Sequence, residues 1–158
     1  MTITFTENEL SSESLYEMFR LSMEEYVNQA RGTPWDDRRE RAQFLDQMSV
    51  ESIKLIRADA EVVGFIDFRK NGANWNLHTM IVVPAWQSKG IGSIVLDGLM
   101  AATKCISLSV LRTNPRARSL YERKGFREVS SSKTHIHLAW ECTNSFESDK
   151  LKTTRASN

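Results

Sequence analysis

The sequence has no apolar run near the length of a membrane span, no block of like charge, no internal repeat and only two cysteines. A bilayer-spanning helix needs about 20 consecutive apolar residues, so no membrane partner is expected. Lys and Arg total 21 against 20 Asp and Glu, spread along the chain. That balance leaves neither a basic stripe for nucleic acid nor a polybasic membrane segment. Cys105 and Cys142 lie in apolar stretches without metal-ligand spacing. The expectation is therefore two buried free thiols, no metal site and a reducing compartment. Met1 leads directly into the strand-like Ile3 to Phe5 with no secretory profile, so the protein reads as cytoplasmic. What remains, 158 residues at 41% hydrophobic and 26% charged, suits one domain with a real core over residues 1–142. Residues 143–158 carry isolated apolar anchors at Phe146 and Leu151 without periodicity, and read as a disordered polar tail.

The pattern within the domain is mixed α/β. Thr2 to Thr6 reads as a strand, and Ser11 or Ser12 caps a helix with Leu15, Met18, Phe19, Met23 and Tyr26 at helical spacing. Gly32 to Pro34 breaks it, and Asp37 with Glu40 forms a capping box for a second helix carrying Ala42, Leu45 and Met48. Ser52 to Ala58, Val62 to Lys70 and Asn74 to Val83 read as three antiparallel strands, the last two joined at Asn71-Gly72. A helix with Ile91, Ile94, Val95, Leu99 and Ala102 on one face leads to a strand from Cys105 to Leu111, which a helical crossover makes parallel to its neighbour. Pro115 to Lys124 is a short helix with Gly125 at its left-handed cap, and Phe126 to Ser131 with Lys133 to Trp140 forms a final hairpin.

The chemistry concentrates at Gln87-Ser88-Lys89-Gly90-Ile91-Gly92, between a strand and a helix start. A glycine-punctuated turn there can aim several backbone N–H groups at one point, and the helix adds unpaired N–H groups and the positive end of its dipole. A phosphate suits that arrangement. The spacing does not fit a Walker A loop, and Val95 stands where a dinucleotide turn needs a third glycine. Downstream, Val110 to Phe126 contains Asn114, Ala117, Leu120-Tyr121 and Gly125-Phe126.

Together the two segments resemble the GNAT superfamily of acetyl-CoA-dependent N-acetyltransferases, whose cofactor loop has the form Gln/Arg-x-x-Gly-x-Gly/Ala. The order of elements follows that family from Ile3 to Glu141, with its specific motifs between Leu77 and Phe126. The resemblance implies a mostly antiparallel sheet with one splayed parallel pair and helices on both faces. It implies that acetyl-CoA binds with its pyrophosphate on the backbone of Ser88 to Gly92, with Lys89 adding screening charge beside Gln87 and Ile91. The pantetheine arm would pair with the strand edge at Met80, Ile81 and Val82, and the N–H of Ile81 or Val82 would polarise the thioester carbonyl. Asn114 would bond the arm, besides or instead of capping the helix. Tyr121 would protonate the leaving thiolate, a role worth about 10²- to 10⁴-fold in rate.

The general base is where the resemblance runs out. Some relatives carry a glutamate on the fourth or fifth strand, and this chain has Leu77 and Ser109 near those positions. His78 is then the candidate base, since an imidazole titrates in the right range. His135 and His137, which share one face of the last strand, are further candidates for the base, and His135 joins Trp35 as a candidate for the acceptor groove; Asp36 and Asp37 stand beside that tryptophan. The expected function is acetyl transfer to a primary amine by direct attack in a ternary complex, because neither cysteine falls near the thioester position. Two readings compete with it: a non-catalytic acyl-CoA-binding module, and an acetyltransferase for protein lysines or N-termini. The choice between a monomer and a homodimer stays open.

Overall fold

The computed structural model describes residues 1–141, so the tail expected beyond residue 142 lies outside the described residues. Seven strands form one sheet in the order β1-β2-β3-β4-β5-β7-β6. The strands are β1 (Ile3–Glu7), β2 (Ile53–Ala58), β3 (Glu61–Asn71), β4 (Asn74–Val82), β5 (Cys105–Leu111), β6 (Arg127–Ser131) and β7 (His135–Trp140). Every neighbouring pair is antiparallel except β4 and β5. Helices α1 (Ser12–Arg31), α2 (Asp37–Gln47), α3 (Ile91–Ala102) and α4 (Pro115–Arg123) complete the mixed α/β architecture.

Strand alternation sends successive residues to opposite faces of the sheet, and each face has its own core. Ile53, Leu55, Phe65 and Ile81 pack with Leu15 under α1 and α2. Ile56, Ile66, Ile106 and Leu138 pack with Val95 and Leu96 of α3. Full burial of each such side chain contributes about 1.5–3 kcal/mol. On α3 the inward positions are Ile91, Val95, Leu96 and Leu99. Ile94 faces out, contrary to the periodicity reading, because Leu96 takes its place against the sheet.

Local signals set the helix ends. The Ser11 hydroxyl accepts from the Ser14 N–H at 3.1 Å to start α1, and Gly32 closes it at φ +70°. The cap of α2 falls one residue earlier than expected: Asp36 accepts from the Arg39 N–H at 3.1 Å, and Asp37 is the first helical residue. Gly125 ends α4 in the left-handed region at φ +96°.

Cys105 corrects the thiol expectation. It opens β5 and is disulfide-bonded, which removes the free-thiol argument for a reducing compartment; Cys142 lies outside the described residues. Among the described residues, no helix is long and apolar enough to cross a membrane.

Two irregularities shape the centre of the sheet. Between Ile56/Gly64 and Arg57/Val62 the β2–β3 register skips Val63. Between Asp67/Thr79 and Phe68/Leu77 the β3–β4 register skips His78. At the first, the backbones approach so closely that a Cβ on Gly64 would stand 1.9 Å from the Ile81 carbonyl oxygen. Backbone cannot move aside as a flexible side chain would, so Gly64→Ala should destabilise the fold by about 3 kcal/mol. Urea denaturation compared with wild type measures this, and a loss under about 1 kcal/mol would mean that β3 and β4 separate without cost.

Candidate active site

The site begins where β4 leaves β5. Their pairing runs from Asn74↔Cys105 to Leu77↔Leu108 and stops at the bulged residue, His78. Asn76 marks the last rungs, its amide donating to the Ser107 carbonyl at 3.3 Å and hydroxyl at 3.2 Å. Beyond that point β5 runs on with β7 as far as Leu111↔His135, while β4 stays with β3 as far as Val82↔Gly64. Among the described residues, the β4 edge from His78 to Val82 therefore has no partner in the sheet on the β5 side. An unpaired edge of this kind offers N–H and C=O groups to an extended, amide-bearing ligand. The Val83 N–H still reaches the Val63 carbonyl at 2.9 Å, after which Pro84, lacking an N–H, opens a short 3₁₀ turn.

That turn delivers the chain to the loop before α3. Ser88 and Gly90 both adopt left-handed backbone, at φ +63° and +82°, and Gly90 stands at the N-cap without a side-chain cap bond. The first-turn N–H groups of α3 thus face the loop with the positive end of the helix dipole. The two glycines do different jobs. Gly90 supplies the turn and a Cβ there would meet open space, whereas a Cβ on Gly92 would stand 3.0 Å from Leu120 Cδ2. Gly92 is small because α3 packs on α4. Lys89 points its Nζ over the Trp86 ring at 4.8 Å.

Two adjoining cavities occupy this region. The smaller, about 230 Å³, is lined by Gln87, Ser88, Gly90, Ile91, Gly92 and Arg116, among others. The larger, about 510 Å³, extends from the β4 opening under α1 and α2 and is lined by Phe19, Phe44, Asp67, His78, Tyr121 and His135, among others. Met80, Ile81 and Asn114 line both, so the two cavities adjoin at the open end of β4. Val82 lines the smaller one. Asn114 caps α4, its Oδ1 accepting from the Ala117 N–H at 3.2 Å, and lines both cavities.

Tyr121 is 7% exposed, packs on Phe126 at 5.6 Å between ring centroids and lines the chamber. Burial pushes its phenol above the ordinary value, which keeps the proton on the oxygen at neutral pH. His78 is exposed on the chamber wall. Partial desolvation, then the Arg69 guanidinium, holds its imidazole below the ordinary value, with Asp67 opposing. His135 also lines the chamber; its Nδ1 lies 2.8 Å from the Thr134 hydroxyl, and desolvation followed by His137 lowers its titration. His137 bonds the Ser109 hydroxyl at 2.6 Å. Among the described residues no group of three His, Cys, Asp or Glu side chains is placed to hold a metal.

Trp35 does not line the chamber. Its indole N–H donates to the Tyr16 hydroxyl at 3.1 Å, and Arg20 lies over its ring at 5.8 Å. Tyr16 in turn donates to Asp37 at 2.6 Å. The tryptophan thus belongs to a network joining the N-terminal end of α2 to α1.

The sequence reading missed the acids. Among the described residues the buried polar or charged side chains are Glu40 at 5% exposure, Asp67 at 2% and Asn114, and all three line the chamber. Glu40 accepts from Arg31 Nε at 2.6 Å and from Arg39 at 3.4 Å, while Arg31 also donates to Gln43 at 2.9 Å. Asp67 pairs with Arg69 at 3.1 Å, and the same guanidinium donates to the Gln47 carbonyl at 2.6 Å. Arginines thus tie α2 to α1 and to β3 around the chamber. Glu40 stood in the sequence only as a capping residue and Asp67 in a strand; no local signal reveals that two distant acids face one cavity.

Comparisons with known proteins agree on the fold. The family model for an acetyltransferase (GNAT) domain matches residues 51–128. No curated protein sequence matches the chain. The PaiA N-acetyltransferase of Thermoplasma acidophilum, solved in complex with coenzyme A, is 17% identical with a TM-score of 0.65, covering 89% of this chain and 99% of that one. An acetyltransferase from Thermus thermophilus is 18% identical with a TM-score of 0.66, covering 88% and 96%. The ribosomal-protein-S18-alanine N-acetyltransferase of Escherichia coli is 18% identical with a TM-score of 0.60, covering 88% and 93%. The sheet order and the single parallel pair are therefore an architecture shared with solved acetyltransferases.

The arginine clamps make a stability prediction. Removing one partner of a buried pair strands the other charge. Arg31→Met should therefore cost about 2 kcal/mol in denaturant unfolding, because Glu40 keeps only Arg39 at 3.4 Å. The double variant Arg31→Met/Glu40→Gln should recover at least half of that loss. Additive losses would show that the pair does not act as a unit.

Proposed function

Because the chain belongs to the GNAT superfamily of acetyl-CoA-dependent acyltransferases, we propose that it transfers acetyl from acetyl-CoA to a primary amine by direct attack in a ternary complex. The observation that carries this reading is the adjacency of the glycine-marked loop, the unpaired β4 edge and a chamber lined by Tyr121 and His78, with Met80, Ile81 and Asn114 lining both cavities. These residues fit the cosubstrate. Backbone N–H groups of the loop and the first turn of α3 would hold its diphosphate. The edge of Met80 to Val82 would pair with the amides of its arm, with Asn114 alongside. Bound there, acetyl-CoA supplies a thioester carbon open to attack and a thiolate that leaves.

The protein's part is orientation and proton movement. The N–H of Ile81 or Val82 would donate to the carbonyl oxygen as charge develops on it. Tyr121, protonated because it is buried, would give its proton to the departing sulfur. His78, neutral over most of the physiological range because its ionisation is lowered, would take the proton from the ammonium directly or through one water. His135 lines the acceptor side. The walls there combine Phe19 and Phe44 with acids already held by arginines, a setting suited to a small amine with an apolar body.

Two measurements test this. An amine panel assayed for free CoA should give amine-dependent release, and Tyr121→Phe should lower kcat about 10²-fold while the acetyl-CoA dissociation constant stays within about twofold. Wild-type turnover in that variant would remove Tyr121 from proton transfer. Binding of acetyl-CoA without release on any amine would make the chain a non-catalytic acyl-CoA-binding module, and release confined to peptides would move the acceptor to proteins.

The second concerns pH. A base with a lowered ionisation is active once deprotonated, so kcat/KM should rise with pH through a limb centred below the ordinary imidazole value of about 6.5. His78→Gln should abolish this limb and leave any limb due to the amine. A limb that persists in the variant and moves with the pKa of the amine would exclude His78 as base.

A further inference from the structure

The smaller cavity contains a cation that the proposed mechanism does not use. Arg116, in the first turn of α4, reaches across to the anion loop and donates to Gln87 Oε1 at 3.1 Å and to Ser88 Oγ at 2.5 Å. Gln87 donates from its other end to the Val82 carbonyl at 2.8 Å. A chain of hydrogen bonds therefore runs from α4 through the loop to the end of the open β4 edge. Ser88 is held at φ +63°, a left-handed conformation that non-glycine residues adopt at a cost. Among the described residues Arg116 makes no ion pair, although the arginines at positions 118, 31 and 69 all do.

We propose that Arg116 is a positioning residue that keeps the anion loop in its ligand-ready shape, by bridging Gln87 and the strained Ser88 before any ligand arrives. The inference rests on the reading of this loop as the diphosphate site of acetyl-CoA. A guanidinium suits the task because its fixed, planar fork bonds two acceptors at once, which a lysine ammonium on a flexible stem does not reproduce. Without the bridge, Ser88 relaxes to ordinary backbone and the N–H groups around Gly90 lose their common aim. The loop must then be reordered at the expense of binding. Gly90 is left-handed as well, but a glycine adopts that conformation freely, so the bridge is needed at Ser88.

The test is a cycle of acetyl-CoA dissociation constants measured by calorimetry for wild type, Arg116→Ala, Ser88→Gly and the double variant, with Arg116→Lys as a fifth protein. Arg116 is exposed, and unchanged melting temperatures without ligand confirm folding. Positioning predicts that Arg116→Ala weakens binding about tenfold in the wild-type background and less than about threefold in the Ser88→Gly background, where the strain is gone. Arg116→Lys should bind nearly as weakly as Arg116→Ala. Equal losses in both backgrounds, or substantial rescue by lysine, would overturn the proposal and make Arg116 a direct partner of the phosphates. No loss in Arg116→Ala would overturn it as well. Failure of the wild type to bind acetyl-CoA would refute the site reading itself, a result distinct from any pattern among the variants.

Discussion

The parting of β4 from β5 is the constraint on which the rest of the site depends. An extra residue at His78 against β3 ends the parallel pairing at Leu77↔Leu108. From there each strand follows a different neighbour, and a stretch of backbone inside the domain is left to pair with something other than protein. The two cavities adjoin along this edge, with Met80 and Ile81 lining both. The same bulge turns His78 into the chamber. One backbone irregularity thus makes the cleft and places the candidate base on its wall.

A cleft held open needs walls that do not collapse. On the α1 side the Thr113 hydroxyl donates to the Tyr26 carbonyl at 2.7 Å, tying the segment after β5 to the helix. The Ser22 hydroxyl lies 3.4 Å from the Val82 carbonyl. Around the chamber the buried acids hold arginines from neighbouring elements, with Arg31 reaching Glu40 and Gln43, and Arg69 reaching Asp67 and the end of α2. Such pairs gain little net energy over an apolar packing. Their strict geometry, however, suits a roof that must keep its distance from the sheet. Aromatic packing of Phe19, Phe44 and Phe65 fills the space between them.

The loop before α3 meets a different demand, since under the proposed function its backbone points at a ligand instead of at itself. It contains left-handed residues at Ser88 and Gly90, an uncapped helix start and a close α3–α4 contact at Gly92. Arg116 bonds Gln87 and Ser88 across this loop. Asn114 caps α4 and thereby sets the direction of its first turn, where Arg116 lies. The two motifs far apart in sequence are mechanically one unit.

Much of this was legible in local stretches of the chain. Hydrophobic alternation, the Asn71-Gly72 turn and the glycines near residues 90 and 125 are local signals, set by period and by backbone freedom, and they marked the strands, the helices and the turn before α3 to within a few residues. The motif residues Gln87 to Gly92, Asn114 and Tyr121 were legible because they stand at fixed spacing within two short segments of the chain. Only the tertiary structure decided what depends on residues distant in the chain. The bulge at His78 is a relation between two strands. The convergence of Glu40 and Asp67 on one chamber needs the helix roof, and the exclusion of Trp35 from it needs the partner Tyr16 on α1. The disulfide at Cys105 opposed a rule drawn from cysteine count, because a count and a spacing do not report a thiol's bonding state.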